Sequence, residues 1–269
     1  MSSATPPSAQ AVTNHPLVAS GLTHPGRVRK ENEDAYGCFP DARLFLVADG
    51  MGGHNAGEVA SAMAIREIDR FFRSYHADPR QEWPYPVDRK LSLAANLLQV
   101  GIKVANDRIR AGASIDRTHA RMGSTVVAMA IGETQLAISH AGDSRAYLFR
   151  AGQLQRLTRD HSVAEEMRQA RPEMTDEDLA TFAHRNVVTR SLGSKDEVEP
   201  DVFVGLLESG DGYLLCSDGL WGAVKDDEIA GLLRATSMAE PSVACQKLVE
   251  AANAAGGPDN VTVLLVRVG

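Results

Sequence analysis

Three observations in the sequence predict an α+β fold with substantial antiparallel sheet. Two long stretches, 56–72 and 91–110, repeat apolar residues at helical spacing. Strand-like runs follow one another closely over 125–131, 134–139, 146–149 and 153–157. The reversals between them, Gly132-Glu133 and Ala151-Gly152, are too short for the crossover that parallel neighbours need.

Residues 1–20 are rich in Ala, Ser and Pro and have no sustained period, which predicts a disordered tail ahead of a single domain over 21–269. Gly21 to His24 starts the first strand, and Ala35–Phe39 and Arg43–Ala48 read as a strand pair joined through Pro40-Asp41. The first long helix takes its buried face from Val59, Met63, Ile65, Ile68, Phe71 and Phe72. A proline-interrupted excursion over 76–89 follows, with Trp83 expected to fold back over a helix. Leu93, Leu97, Val100, Val104 and Ile109 supply the second helix's apolar face.

After the four short strands, residues 160–185 break the rhythm with apolar positions spaced for short helices, one of them starting at Thr175 with Asp178 in its first turn. Strands return at 202–206 and 213–216. Helices are expected over 226–234 and 240–252, and 261–266 closes the chain as a strand.

Composition narrows the classes of function. With 43% hydrophobic and 23% charged residues, the chain suits a globular domain with a sizeable core. A formal charge of -7 and no large Lys/Arg cluster argue against nucleic-acid binding. Cys38, Cys216 and Cys245 are too few and too scattered for a disulfide framework, and none has an arginine six positions later. Cys216 reads as a core residue. No run is long enough to span a bilayer and the N-terminus lacks a secretory pattern, so a reducing cytoplasm is expected.

The chemistry concentrates where apolar strands end in aspartate. Leu44-Phe45-Leu46-Val47-Ala48 runs into Asp49-Gly50-Met51-Gly52-Gly53-His54. Tyr213-Leu214-Leu215-Cys216-Ser217 runs into Asp218, and Asp259-Asn260 precedes the last strand. A carboxylate at the edge of a core is costly unless hydration, hydrogen bonds or a cation compensates it. With Glu33 and Asp34, these positions fit either an all-oxygen site for Mg²⁺ or Mn²⁺ or a set of capping and turn aspartates. Ser124 and Ser144 sit in no Gly-x-Ser-x-Gly elbow, and Gly52-Gly53 is not followed by a Walker lysine.

Several motifs, in this order and spacing, carry a resemblance: Arg29-Lys30-Glu31-Asn32-Glu33-Asp34, Asp49 to His54, Gly123-Ser124-Thr125, Gly142-Asp143-Ser144-Arg145, Thr158-Arg159-Asp160-His161-Ser162, Ser217-Asp218-Gly219-Leu220-Trp221 and Gly257-Pro258-Asp259-Asn260. From about Gly21 to Val268 the chain resembles the metal-dependent protein Ser/Thr phosphatases of the PPM, or PP2C, family in their compact bacterial form. The resemblance implies a four-layer αββα sandwich, two antiparallel sheets flanked by helix pairs, with a helical flap at about 160–185.

The resemblance further implies two Mn²⁺ or Mg²⁺ ions. Asp49 would bridge them through its carboxylate, Gly50 would lend its backbone carbonyl, and Asp218 and Asp259 would bind one of them. Asp34 and Glu33 would contribute directly or through bound water. Asp143, with Asp218, would take a third, weakly bound ion, or else serve a structural turn. Arg29 would clamp the phosphoryl group, since a guanidinium fork spans two oxygens as lysine cannot.

His54 would protonate the leaving serine or threonine oxygen, or serve the loop. Animal relatives carry histidine directly after the Asp-Gly pair, whereas Met51-Gly52-Gly53 intervenes here. Asp160 and His161 would organise the flap base, and Asn260 the loop around Asp259. The implied reaction is direct hydrolysis of phosphoserine and phosphothreonine in proteins by a metal-activated water, in a monomer opposing a bacterial Ser/Thr kinase. Two other readings fit the same residues: a phosphoprotein-binding regulator with little turnover, and a hydrolase of small phosphoesters.

Overall fold

The strand β3 (Leu44–Met51) shows how the run of apolar residues is used. All of Leu44 to Ala48 is buried, with Leu44, Leu46 and Ala48 in one core and Phe45 and Val47 in another. A strand buried on both faces has no polar side to alternate with, so it reads as a continuous apolar run. β11 (Val261–Val268) repeats the pattern: Val261, Val263 and Leu265 point to one core, and Leu264, Val266 and Val268 to the other.

The computed structural model describes residues 15–52, 56–115, 119–175, 178–179, 182, 184–236 and 238–269. Besides β3 and β11, the chain forms β1 (Leu17–His24), β2 (Asp34–Phe39), α1 (Ala56–Ala77), α2 (Leu93–Ile115), β4 (Gly123–Ser124), β5 (Val126–Ile131), β6 (Gln135–Ala141), β7 (Arg145–Arg150) and β8 (Gln153–Arg156). Then come α3 (Val163–Ala170), β9 (Asp201–Leu206), β10 (Gly212–Cys216), α4 (Asp218–Trp221), α5 (Asp226–Thr236) and α6 (Pro241–Ala254).

One sheet has the order β1-β11-β10-β7-β8 and the other β2-β3-β5-β6-β9, with β4 paired to β3. Their pairings are antiparallel. α1 and α2 cover the second sheet through Ala60, Ala64, Ile68, Leu98 and Ile102. α5 and α6 cover the first through Ile229, Leu233, Leu248 and Ala252. Phe45, Met129, Ile138, Tyr213, Leu215 and Val266 fill the space between the sheets. These four layers are the expected αββα sandwich.

Several details refine the expectations. The tail expected over 1–20 does not include Leu17 to Ser20, which belong to β1 and pair in register with Val268 to Leu265, while its residues 1–14 lie outside the described residues. That strand is only half-buried along most of its length, so its residues lack the apolar signature of β3. Both long helices run past their expected ends, to Ala77 and Ile115. Trp83 does fold back, its ring 4.6 Å from Tyr75 and 6.0 Å from Phe71 on α1.

In the flap region, α3 is capped by Ser162, whose Oγ accepts from the Glu165 N–H. Thr175 and Asp178 exchange the reciprocal bonds of a capping box. The three cysteines are free and Cys216 is buried; burial pushes its thiol well above the usual range. Among the described residues, no helix is long and apolar enough to cross a membrane.

Candidate active site

Asp34 opens β2 and lies directly across from Asp49 at the end of β3. Both belong to one sheet. Asp218 follows β10 as the first residue of α4, and Asp259 stands just before β11, so the other sheet presents its acids at the end of adjacent strands. Asp143 sits between β6 of the second sheet and β7 of the first.

Ser217 joins the two sides. Its Oγ donates to Asp34 Oδ2 at 2.7 Å and accepts from the Thr262 N–H at 3.0 Å. Ser217 N also donates to Thr262 O at 3.0 Å. This hydroxyl was not singled out from the sequence, although its place immediately before Asp218 is a signal that was there to read.

Close backbone approach brings the acids together. A Cβ on Gly219 would stand 1.9 Å from the Asn260 carbonyl oxygen, so glycine after Asp218 is what lets α4 touch the Asp259-Asn260 segment. Gly50 faces the same limit, with the Gly57 carbonyl 2.0 Å from where its Cβ would be. Gly50 N donates to the Glu33 carbonyl at 3.1 Å, which ties the acidic stretch to the end of β3.

The resulting electrostatics are strained in one direction. Burial, followed by the charges of Asp34, Asp218 and Asp143, holds the Asp49 carboxyl well above the usual range. Asp34 is pushed up to about 7, chiefly by burial and against the hydrogen bonds of Thr262 and Ser217. Asp143 is also raised to about 7, by burial and then by Asp218 and Asp160. Asp218 is raised by burial and by Asp259, and it is within hydrogen-bonding reach of Asp49.

Two buried oxygens, Oδ1 of Asp34 and Oδ1 of Asp218, have no hydrogen-bond partner among the described residues. Buried carboxylates that repel one another and keep orphaned oxygens are the donor set a hard divalent cation requires. The residues therefore fit Mn²⁺ or Mg²⁺.

Arg29 lies at the rim, half-exposed, and donates from Nη2 to Asp259 Oδ2 at 2.8 Å; that hydrogen bond raises its pKa. Glu33 turns its side chain to the start of α1, where Oε1 accepts from Gly57 N at 3.2 Å. Its backbone carbonyl accepts from Ser61 Oγ at 2.6 Å and its N–H donates to Asn260 Oδ1 at 2.8 Å. Asn260 also donates from Nδ2 to the carbonyls of Pro25 and Glu31, so it binds the acidic stretch to the Asp259 loop. His54 lies outside the described residues.

At the flap base, Asp160 takes a bidentate pair from Arg145, Nε to Oδ1 at 2.9 Å and Nη2 to Oδ2 at 2.7 Å. His161 Nδ1 accepts from the Gly142 N–H at 3.1 Å and stacks on His140 with ring centroids 4.6 Å apart. The two expected non-nucleophiles are engaged in structure. Ser124 Oγ donates to the carbonyls of Asp49 and Thr125, and Ser144 Oγ shares a 2.8 Å hydrogen bond with Thr125 Oγ1.

Away from the aspartates, His140, His161 and Asp201 have ligand atoms that all lie within 4.8 Å of one another. There, however, Arg190 Nη1 stands 2.7 Å from Asp201 Oδ1 and 3.0 Å from His161 Nε2, so a guanidinium already supplies the cation.

Comparison with known proteins gives a consistent result. The family described as Protein phosphatase 2C matches residues 26–261. The serine/threonine phosphatase Stp of Listeria welshimeri is 35% identical over 251 residues, covering 91% of this chain and 93% of the relative. The crystal structure of the Mycobacterium tuberculosis serine/threonine phosphatase PstP/Ppp superposes with a TM-score of 0.80 at 32% identity, covering 94% of this chain and 98% of that one. A structure of the PstP catalytic domain in complex with two manganese ions superposes at 0.77, again at 32% identity and with the same coverage of both chains.

Proposed function

The chain belongs to the protein phosphatase 2C family, and from that premise we propose that it hydrolyses phosphoserine and phosphothreonine in proteins. The observation that carries this reading is the convergence of Asp34, Asp49, Asp143, Asp218 and Asp259 from both sheets, with buried oxygens left unpartnered. In this reading Asp49, the Gly50 carbonyl, Asp218 and Asp259 would hold two Mn²⁺ or Mg²⁺ ions, Asp49 serving both and Asp218 and Asp259 one of them. Asp34 and Glu33 would contribute directly or through water, and Asp143 with Asp218 would take a third, weaker ion. When bound, the ions lower the pKa of the hydrolytic water and neutralise charge on the transferred phosphoryl group.

The chain's own groups do the rest. Arg29 presents a planar pair of N–H donors at the rim and orients two phosphoryl oxygens for in-line attack. Its contact with Asp259 aims the guanidinium at the carboxylates. His54 delivers the proton to the departing serine or threonine oxygen. Attack by water rather than by a serine of the protein is supported by the internal hydrogen bonds that occupy Ser124 and Ser144. Asp160, His161 and Asn260 hold the surrounding loops and do not touch the reacting atoms.

A monomer is proposed as the working unit. Three free thiols support a reducing compartment, the cytoplasm, where a cognate Ser/Thr kinase would supply the phosphorylated proteins. The test is turnover with Mn²⁺ on phosphoserine and phosphothreonine proteins alongside small phosphoesters. Efficient release of phosphate from the proteins, lost in Asp218→Asn, is expected. Hydrolysis of metabolites only, or firm Mn²⁺ binding without any turnover, would overturn the reading.

A further inference from the structure

We propose that Trp221 is a positioning residue that holds Asp143 and Asp218 in fixed relation, so that the ion they share meets its carboxylates already in place. The proposal rests on the phosphatase reading of the site. Trp221 ends α4, the single turn that Asp218 begins, so the two side chains belong to one rigid unit. From there the indole Nε1 donates to the carbonyl of Asp143 at 3.0 Å. An indole N–H can only donate, so this bond has one sense and one target.

The ring itself is pinned. The Arg145 guanidinium lies over its face, 3.6 Å from the centroid. Arg145 in turn is fixed by both oxygens of Asp160 and donates to Tyr147 OH at 3.2 Å, and Tyr147 OH donates to Asp226 Oδ1 at 3.2 Å. The indole therefore cannot swing without giving up both its hydrogen bond to Asp143 and the guanidinium stacked on its face. On the other side of the turn, Gly142 is held twice by His161, through its N–H to Nδ1 and through its carbonyl to the His161 N–H.

With the backbone restrained on both sides, the Asp143 carboxylate has little freedom to move away from Asp218. Freedom is what it would otherwise use, because two buried carboxylates repel each other. The N–H bond and the stacked guanidinium oppose that separation before any cation arrives. This is preorganisation of a cation site by a residue that is not one of its ligands.

The tests read ion binding directly. The protein has two tryptophans, so in Trp83→Phe the remaining emission belongs to Trp221. Paramagnetic Mn²⁺ should quench that emission in a phase weaker than the tight calorimetric sites, and adding Asp143→Asn should remove the phase. In Trp221→Phe, which keeps a ring under Arg145 but loses the N–H, calorimetry should show the weakest Mn²⁺ site loosened roughly three- to tenfold. KM for a phosphopeptide at saturating Mn²⁺ should stay unchanged.

An unaltered Mn²⁺ isotherm in Trp221→Phe, or Trp83→Phe emission indifferent to Mn²⁺, overturns the proposal. If Trp221→Phe does not fold, the Trp83→Phe titration with and without Asp143→Asn decides alone. Failure of the wild-type protein to hydrolyse phosphoproteins would sink the proposed function, while the isotherms would still judge Trp221.

Discussion

Asp49 is a carboxylate that the fold would hold more comfortably as an amide. It is desolvated and faces Asp34, Asp218 and Asp143, and each of these influences opposes its ionisation. Asp49→Asn should therefore melt no lower than wild type in a chelator, while Mn²⁺-supported turnover falls by on the order of a hundredfold or more. A clear loss of melting temperature in the chelator would mean that Asp49 is structural instead. Arg29 offers a complementary test at the rim. Arg29→Lys keeps the charge and loses the fork, so KM for phosphopeptide should rise several-fold with Mn²⁺ binding retained; unchanged kinetics would reject the clamp. Asp49 was legible because it stands where an apolar strand stops, a position at which an acid needs a reason, whereas the role of Arg29 came only with the resemblance. The roles of Arg145 and Trp221 were not legible, since each acts on a partner from another strand or turn, and Ser217 was marked only by its place before Asp218.

His161 links the element scale to the site, being half of the bond that holds the β6–β7 turn to the flap base. Burial, helped by His140 and Arg190, lowers its pKa to about 4 from an ordinary 6.5. Between those values the unfolded chain takes up a proton that the folded one refuses, so stability is retained above pH 6.5 and drains away as the pH falls toward 4. His161→Gln should shallow that acid-side slope in chelator melts, and an identical slope would discount the histidine. Legibility at this scale follows burial. β3 and β11 declared themselves through unbroken apolar runs, as did the two long helices through their spacing. β1 stayed hidden from Leu17 to Ser20, because a short, half-buried edge segment that follows an Ala, Ser and Pro-rich stretch looks like its continuation until its partner is known.

For the whole molecule, the candidate ligands are divided between two sheets that otherwise meet through apolar packing. An ion bound at the shared end stabilises the folded chain by mass action. With Mn²⁺ at a hundred times its dissociation constant, the melting temperature should rise by roughly 5–10 °C over the chelated protein. The rise should be larger at pH 8 than at pH 6, because Asp34 and Asp143, both near 7, hold protons that compete with the ion at the lower value. A shift independent of pH would argue that the ion binds elsewhere. The four-layer stacking itself was legible only through the resemblance, since spacing alone predicts helices and antiparallel strands without saying which face covers which. One further consequence comes from β11, whose eight residues lead from the Asp259 end of the sheet to Gly269, beside Pro16. That length is about 25 Å. A fluorescent protein or an affinity handle joined after Gly269 would thus depart from the pole opposite the acids, leaving the mouth open to a bulky phosphorylated client.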